Sequence, residues 1–230
     1  MHTPIPMIAV AILALATLDA AAANVSEFER RCEKEMRPRI QISAFQADIR
    51  IDNTVGSKVL HSRAQHAYSG DQMLGMTALK SRVEIDIDGP ALIDRAQARE
   101  CVAPSISVTL SYHPMDVFIA REFSPVSCSY RAILEHEMQH VNRYRENLPR
   151  VEAMVREQLT KRYHDGPLYA ASGMGLNVLQ SDVDGWLRPM IQNALQKVEE
   201  TQRELDTEEE SARLSLACHG ELAYNLGARY

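Results

Sequence analysis

SYRAILEHEMQHVNRYRENLPRVEAMVREQLTKRY, residues 129–163, is the stretch on which the reading of this chain turns. Ile133, Leu134, Val141, Tyr144, Leu148, Val151, Val155 and Leu159 recur at spacings of three and four, the pattern of a helix with one apolar stripe. Pro149 falls inside it and predicts a kink or a junction between two helices, because proline offers no N–H and crowds the preceding turn. Within the first part stands His136-Glu137-Met138-Gln139-His140. Residues four apart share a helical face, so both imidazoles can address a single ion.

Upstream the period changes to two. Between Arg39 and Asp52, Ile40, Ile42 and Ala44, then Ala47, Ile49 and Ile51, alternate with polar residues, with a phase slip near Phe45 and Gln46. Alternation returns at 83–87, 106–112 and 117–119, with turn signals at Asp52-Asn53, Gly56, Asp88-Gly89-Pro90 and His113-Pro114. A short helix is expected from about Ser26 to Met36, limited by Pro38. Downstream, Gly166 to Gly185 reads as a Gly-rich connector, and Trp186 to about Cys218 as a second long helix. Strands followed by helices predict one α+β domain over residues 24–230: an antiparallel sheet from the N-terminal half packed against long helices from the C-terminal half.

Of the 230 residues, 45% are apolar and 24% charged, which excludes collagen-like and disordered classes. The net charge of −6 disfavours nucleic acid as a partner, since phosphate binding calls for a basic surface. Met7 to Leu18 is an apolar run too short for a comfortable membrane span and suited to the core of an export signal. Ala20 to Ala23 follow, so residues 1–23 read as a signal peptide cut before Asn24, although the leading segment lacks Lys and Arg. The mature protein is expected in the periplasm or outside the cell, with no stable membrane insertion. Cys32, Cys101, Cys128 and Cys218 then predict two disulfides. Cys101 and Cys128 flank two strand-like segments, which favours that bridge and leaves Cys32 for Cys218.

Neutral imidazole is a good zinc ligand, and zinc lowers the pKa of a bound water to about 7. Glu137, beside the first histidine, is placed to act as the general base, and the same ion would polarise a peptide carbonyl. Catalytic zinc sites usually take three protein ligands and leave one position for water. The third is expected from the last helix. Its inward stripe of Leu195, Val198, Gln202, Leu205, Glu209, Ala212 and Leu216 puts Glu209 where a lone carboxylate would be costly without a cation. Asp206, one turn earlier, is expected to orient a ligand histidine. A solvated acidic face is the plain alternative for residues 204–210.

The segment Val117-Phe-Ile-Ala-Arg-Glu, Cys128, and Ala132-Ile-Leu-Glu-His-Glu-Met-Gln-His140 resembles the zincin metallopeptidase pattern of a strand leading into a zinc helix. The closer likeness is to the bacterial family of predicted secreted zinc-dependent proteases, over residues 101–220. Leu205-Asp206-Thr-Glu-Glu209 is similar to that family's late motif, with acids and Ser211 in place of its hydroxyl and histidine, which makes Asp206 the rival of Glu209 as third ligand. The metzincin form is absent, because Arg143 and Glu146 replace its Gly and its His or Asp. The thermolysin form is absent too, because Thr160 stands where its Glu would fall. The resemblance implies an exported peptidase with a peptide or protein substrate, Zn2+ as cofactor, and Val117 to Arg121 as a strand bordering the cleft, an ordinary internal strand being the equal alternative. His219, Tyr224 and Arg213 are candidates to stabilise an oxyanion, and Trp186 reads as a core anchor. From another class comes the alternative of a disulfide-stabilised envelope binding or structural protein whose zinc site is structural or inactive.

Overall fold

The computed structural model describes the backbone of residues 25–64 and 73–227 and side chains as far as Leu222. The expected signal segment and the side chain of Tyr224 lie outside the described residues. The elements run α1 (Glu27–Glu35), β1 (Arg39–Gln46), β2 (Ile49–Asp52), α2 (Ser57–Arg63), β3 (Gly75–Asp88), β4 (Ala91–Asp94), β5 (Arg99–Val102), β6 (Ser105–Ile119), α3 (Cys128–Tyr163), β7 (Leu168–Ala171), α4 (Gly175–Gln202) and α5 (Glu208–Gly227). The architecture is α+β, as the order of periodicities predicts. Among the described residues no helix is long and apolar enough to cross a membrane.

β6 is the spine. Its first half alternates between buried and partly buried residues, and its last five residues, from Met115 to Ile119, are buried on both faces. β1 and β2 both pair parallel to it along one side, and β3 pairs antiparallel along the other. The main sheet is therefore mixed rather than antiparallel. Alternation tells which residues share a face and says nothing about the direction of the partner strand. The phase slip near Gln46 is where the chain steps from β1 to β2 on the same side of β6. His113-Pro114, read as a turn, lies inside β6. Proline cannot donate to a ladder, and the pairing passes over it: β1 ends at Tyr112, β2 begins at Met115, and β3 has an irregularity between Leu79 and Ser81.

A second, small antiparallel sheet has the order β4-β5-β7. Its third strand, β7, lies within the expected connector, and α4 begins at Gly175, earlier than the Trp186 start. Glu100 on β5 explains the earlier start. Its carboxylate accepts from the backbone N–H groups of Gly173 (2.7 Å) and Gly175 (2.5 Å), which caps the N-terminus of α4. Leu179, Val183, Leu187 and Ile191 then extend the buried stripe of α4.

α3 runs as one helix of 36 residues through Pro149 and lies across β1, β6 and β3. Ile133, Val141, Leu148, Val155 and Leu159 face the sheet and form the core with Val108, Leu110 and Val117. Burial of each such side chain contributes about 1.5–3 kcal/mol, so packing outweighs the lost hydrogen bond at Pro149.

Both disulfides form, with a different pairing from the one favoured above: Cys32 with Cys101 and Cys128 with Cys218. The two segments between Cys101 and Cys128 are one strand of fifteen residues. A strand of that length spans on the order of 45 Å, which keeps those two cysteines at opposite ends of the sheet. Cys101 instead meets α1, whose start is held by the Ser26–Glu29 capping box and by Arg99 donating to Glu29 at 3.2 Å.

Candidate metal centre

His136 and His140 lie on the buried face of α3, each 8% exposed. Their Nε2 atoms are 3.3 Å apart, and Asp206 Oδ1 stands 3.2 Å from the first and 3.1 Å from the second. Three donor atoms thus form a nearly equilateral triangle. Ligands at zinc distances of about 2.0–2.1 Å in tetrahedral array are separated by about 3.3 Å, so the donor set fits that ion and leaves a fourth direction open. The side chain of Asp206 is 55% exposed, so solvent reaches this corner of the triangle.

For neutral rings, the partners of the outer ring nitrogens select the tautomers. His136 Nδ1 donates to Glu210 Oε1 at 3.0 Å, and His140 Nδ1 donates to Gln202 Oε1 at 3.1 Å. Both partners are pure acceptors at those atoms, so the lone pairs of both Nε2 atoms point at Asp206. Lone pairs converging with no hydrogen between them repel, and a cation among them turns that repulsion into binding. Without a cation the same closeness favours protonated rings: burial lowers the imidazole pKa values, but the hydrogen bonds to Asp206 and the charge of Glu137 outweigh it and raise both, so a metal and a proton compete for the same nitrogens. Asp206 is itself held well below the usual carboxylate range, its burial overcome by the two histidines. Glu210 is brought down to about 2, chiefly by Arg213 and further by His136.

Glu137 is 5% exposed, and burial pushes its carboxyl up against the pull of His140, Thr77 and His136. Thr77 on β3 donates to Glu137 Oε2 at 2.8 Å. Gly75, just before it, permits this close approach. A Cβ there would come within 2.6 Å of both Glu137 Oε1 and Ile133 Cγ2.

The structure brings together His136, Glu137, His140 and Asp206 and leaves Glu209 out. Glu209 is exposed, its carboxylate turned back to its own backbone and Thr207. The stripe that pointed to it assumes an unbroken helix, whereas α4 ends at Gln202 and α5 begins at Glu208. Asp206 sits in the turn between them and stands with the two histidines, while Glu210, not Asp206, is the carboxylate that backs a histidine Nδ1. Arg143 pins this turn by donating to the Thr201 carbonyl and to Glu204 Oε2 (3.0 Å). A signal for the break is present in Thr207-Glu-Glu-Glu210, an N-cap pattern, and Thr207 Oγ1 does accept the Glu210 N–H at 3.1 Å. Gln202, Glu210, Thr77 and Gly75 are the site residues that sequence reasoning missed.

Three further expectations are decided. Of the two readings of Val117–Ile119 the internal strand holds, between β2 and β3, and the strand beside Glu137 is β3. Arg213 is committed to Glu210 through two contacts of 2.7 Å. His219 is exposed in a kink of α5. The chain matches no protein-family model, no curated protein and no solved structure.

Proposed function

We propose that this chain is an exported zinc-dependent peptidase acting on an extended peptide or protein. The observation that carries the reading is the convergence of His136 Nε2, His140 Nε2 and Asp206 Oδ1, with a buried carboxylate beside them. Zinc held by these three residues would supply a water of lowered pKa and polarise a carbonyl oxygen. Glu137, its affinity for protons raised by burial, suits acceptance of a proton from the attacking water and its return to the leaving amine. Thr77 holds the Glu137 carboxylate in place, and Glu210 and Gln202 keep the imidazoles in the ligating tautomer. Among the described residues β3 pairs on one side only, with β6. Its free edge near Gly75 and Thr77 offers an extended peptide main-chain partners next to the site.

The test is Glu137→Gln in the full chain. Retained zinc with lost peptide cleavage supports the peptidase, and undiminished cleavage excludes Glu137 as the base. Zinc content with no cleavage by the unaltered protein, over a broad peptide library, would favour the binding or structural protein instead.

A further inference from the structure

The two disulfides differ in their surroundings. Cys32 and Cys101 are fully buried. Cys128 is exposed and Cys218 half-buried. Cys128 opens α3, the helix that carries both histidines, and Cys218 lies in α5, the helix that carries Glu210. At the α5 kink Cys218 and His219 adopt φ values of 57° and 59°, a left-handed conformation that costs free energy for residues with side chains. The bridge to Cys128 and a 2.6 Å hydrogen bond from Ser129 Oγ to Glu221 Oε2 tie this strained segment to the start of α3.

We propose that the Cys128–Cys218 bridge is a redox-sensitive fastener of the metal centre, opened by a dithiol reductant. The inference rests on the metal reading above and adds its regulation. One thiolate of the dithiol attacks an accessible sulfur of the bridge, forming a mixed disulfide and releasing one cysteine thiolate. The second thiol of the reductant then displaces the other cysteine. Two electrons pass to the bridge, two protons end on Cys128 and Cys218, and the reductant leaves as its own disulfide. Freed of the bridge, the kink relaxes, α5 loosens from α3, and Glu210 and Asp206 lose their fixed positions against the histidines. The Cys32–Cys101 bridge gives a thiolate no path to either sulfur, so the α1 end of the molecule stays locked. Reoxidation restores the site.

The test uses the full chain with both disulfides formed. Dithiothreitol is titrated, free thiols are alkylated, and labelled peptides are mapped by mass spectrometry. The selectively alkylated form is then freed of reductant and measured for amide hydrogen exchange and for zinc affinity against a chromophoric chelator. Expected are labelling of Cys128 and Cys218 while Cys32–Cys101 remains closed, faster exchange over residues 208–227, and a zinc affinity lower by about ten- to hundredfold. The double variant Cys128→Ser/Cys218→Ser should show the same exchange and affinity without reductant and no response to it. Simultaneous opening of both bridges, or unchanged α5 exchange and zinc affinity in the selectively reduced protein, overturns the proposal. Should the oxidised protein hold no zinc, the metal reading falls, and the exchange result alone decides whether the bridge fastens α5.

Discussion

Gln202 Oε1 accepts the Nδ1 hydrogen of His140 at 3.1 Å, across the gap between the end of α4 and the middle of α3. The corresponding partner of His136 is the carboxylate of Glu210, so one imidazole is backed by a neutral amide and the other by a charge. Gln202 is 7% exposed, which makes its oxygen a fixed acceptor rather than one that competes with water. Gln202→Leu should therefore lower zinc affinity by about ten- to hundredfold, the usual cost of losing such a partner, with the fold retained. Gln202→Glu should restore the affinity. Chelator competition checks both, and equal affinity in all three proteins would remove Gln202 from the site.

Asp206 and Glu209 are three residues apart, and their roles separate cleanly. Asp206→Ala removes one corner of the donor triangle, leaving two imidazoles, and should abolish stoichiometric zinc at micromolar metal. Glu209→Ala removes an exposed carboxylate and should leave zinc content and cleavage as they are. Elemental analysis of the two purified variants decides the matter, and the reverse result would return the ligand role to Glu209.

Gly75→Ala probes the support of the base. The added methyl would sit 2.6 Å from both Glu137 Oε1 and Ile133 Cγ2, so either β3 or the Glu137 carboxylate must give way. Such overpacking costs about 1–3 kcal/mol. The expected outcome is a lower melting temperature and reduced cleavage with zinc binding kept, because the atoms nearest the added methyl belong to Glu137 and Ile133 rather than to the histidines. Full activity would show that β3 does not position Glu137.

What can be read from the chain is what short-range periodicity encodes. α3 and its paired histidines are legible because the apolar stripe and the HExxH spacing lie within one helix. The direction of β1 and β2 is not, since alternation is the same for either direction, and β6 is masked as one strand by Pro114 in its interior. The place of Asp206 beside the histidines depends on a turn at residues 203–207 that contains neither Gly nor Pro, and only the Thr207-x-x-Glu210 pattern marks it. Thr77 has no local signature at all. Its role arises from β3 pairing with β6 and lying under α3, a contact between distant parts of the chain. The cysteine pairing belongs to the same class, because it is decided by the length of β6.

The far end of the α3–α4 pair makes an acid-sensitive clamp that can be tested apart from the metal. Asp182 on α4 accepts from Arg162 Nε at 2.8 Å, from the other guanidinium arm of Arg162, and from Tyr163 Oη at 2.7 Å. Arg162 first, and Tyr163 after it, hold the Asp182 carboxyl below its ordinary value against the effect of burial. A carboxyl whose folded pKa is depressed binds protons more weakly folded than unfolded, so its stabilisation is fully present above the unfolded value of about 3.9. That stabilisation is lost as pH falls through the lower folded pKa. Asp182→Asn should cost about 1–2 kcal/mol at pH 7, where a charge-assisted pair is replaced by a neutral one. The difference from the unaltered protein should shrink steadily below pH 4, since protonation removes the same charge. Urea unfolding of both proteins from pH 7 to pH 3 measures it, and a difference independent of pH would show that the clamp acts through packing alone.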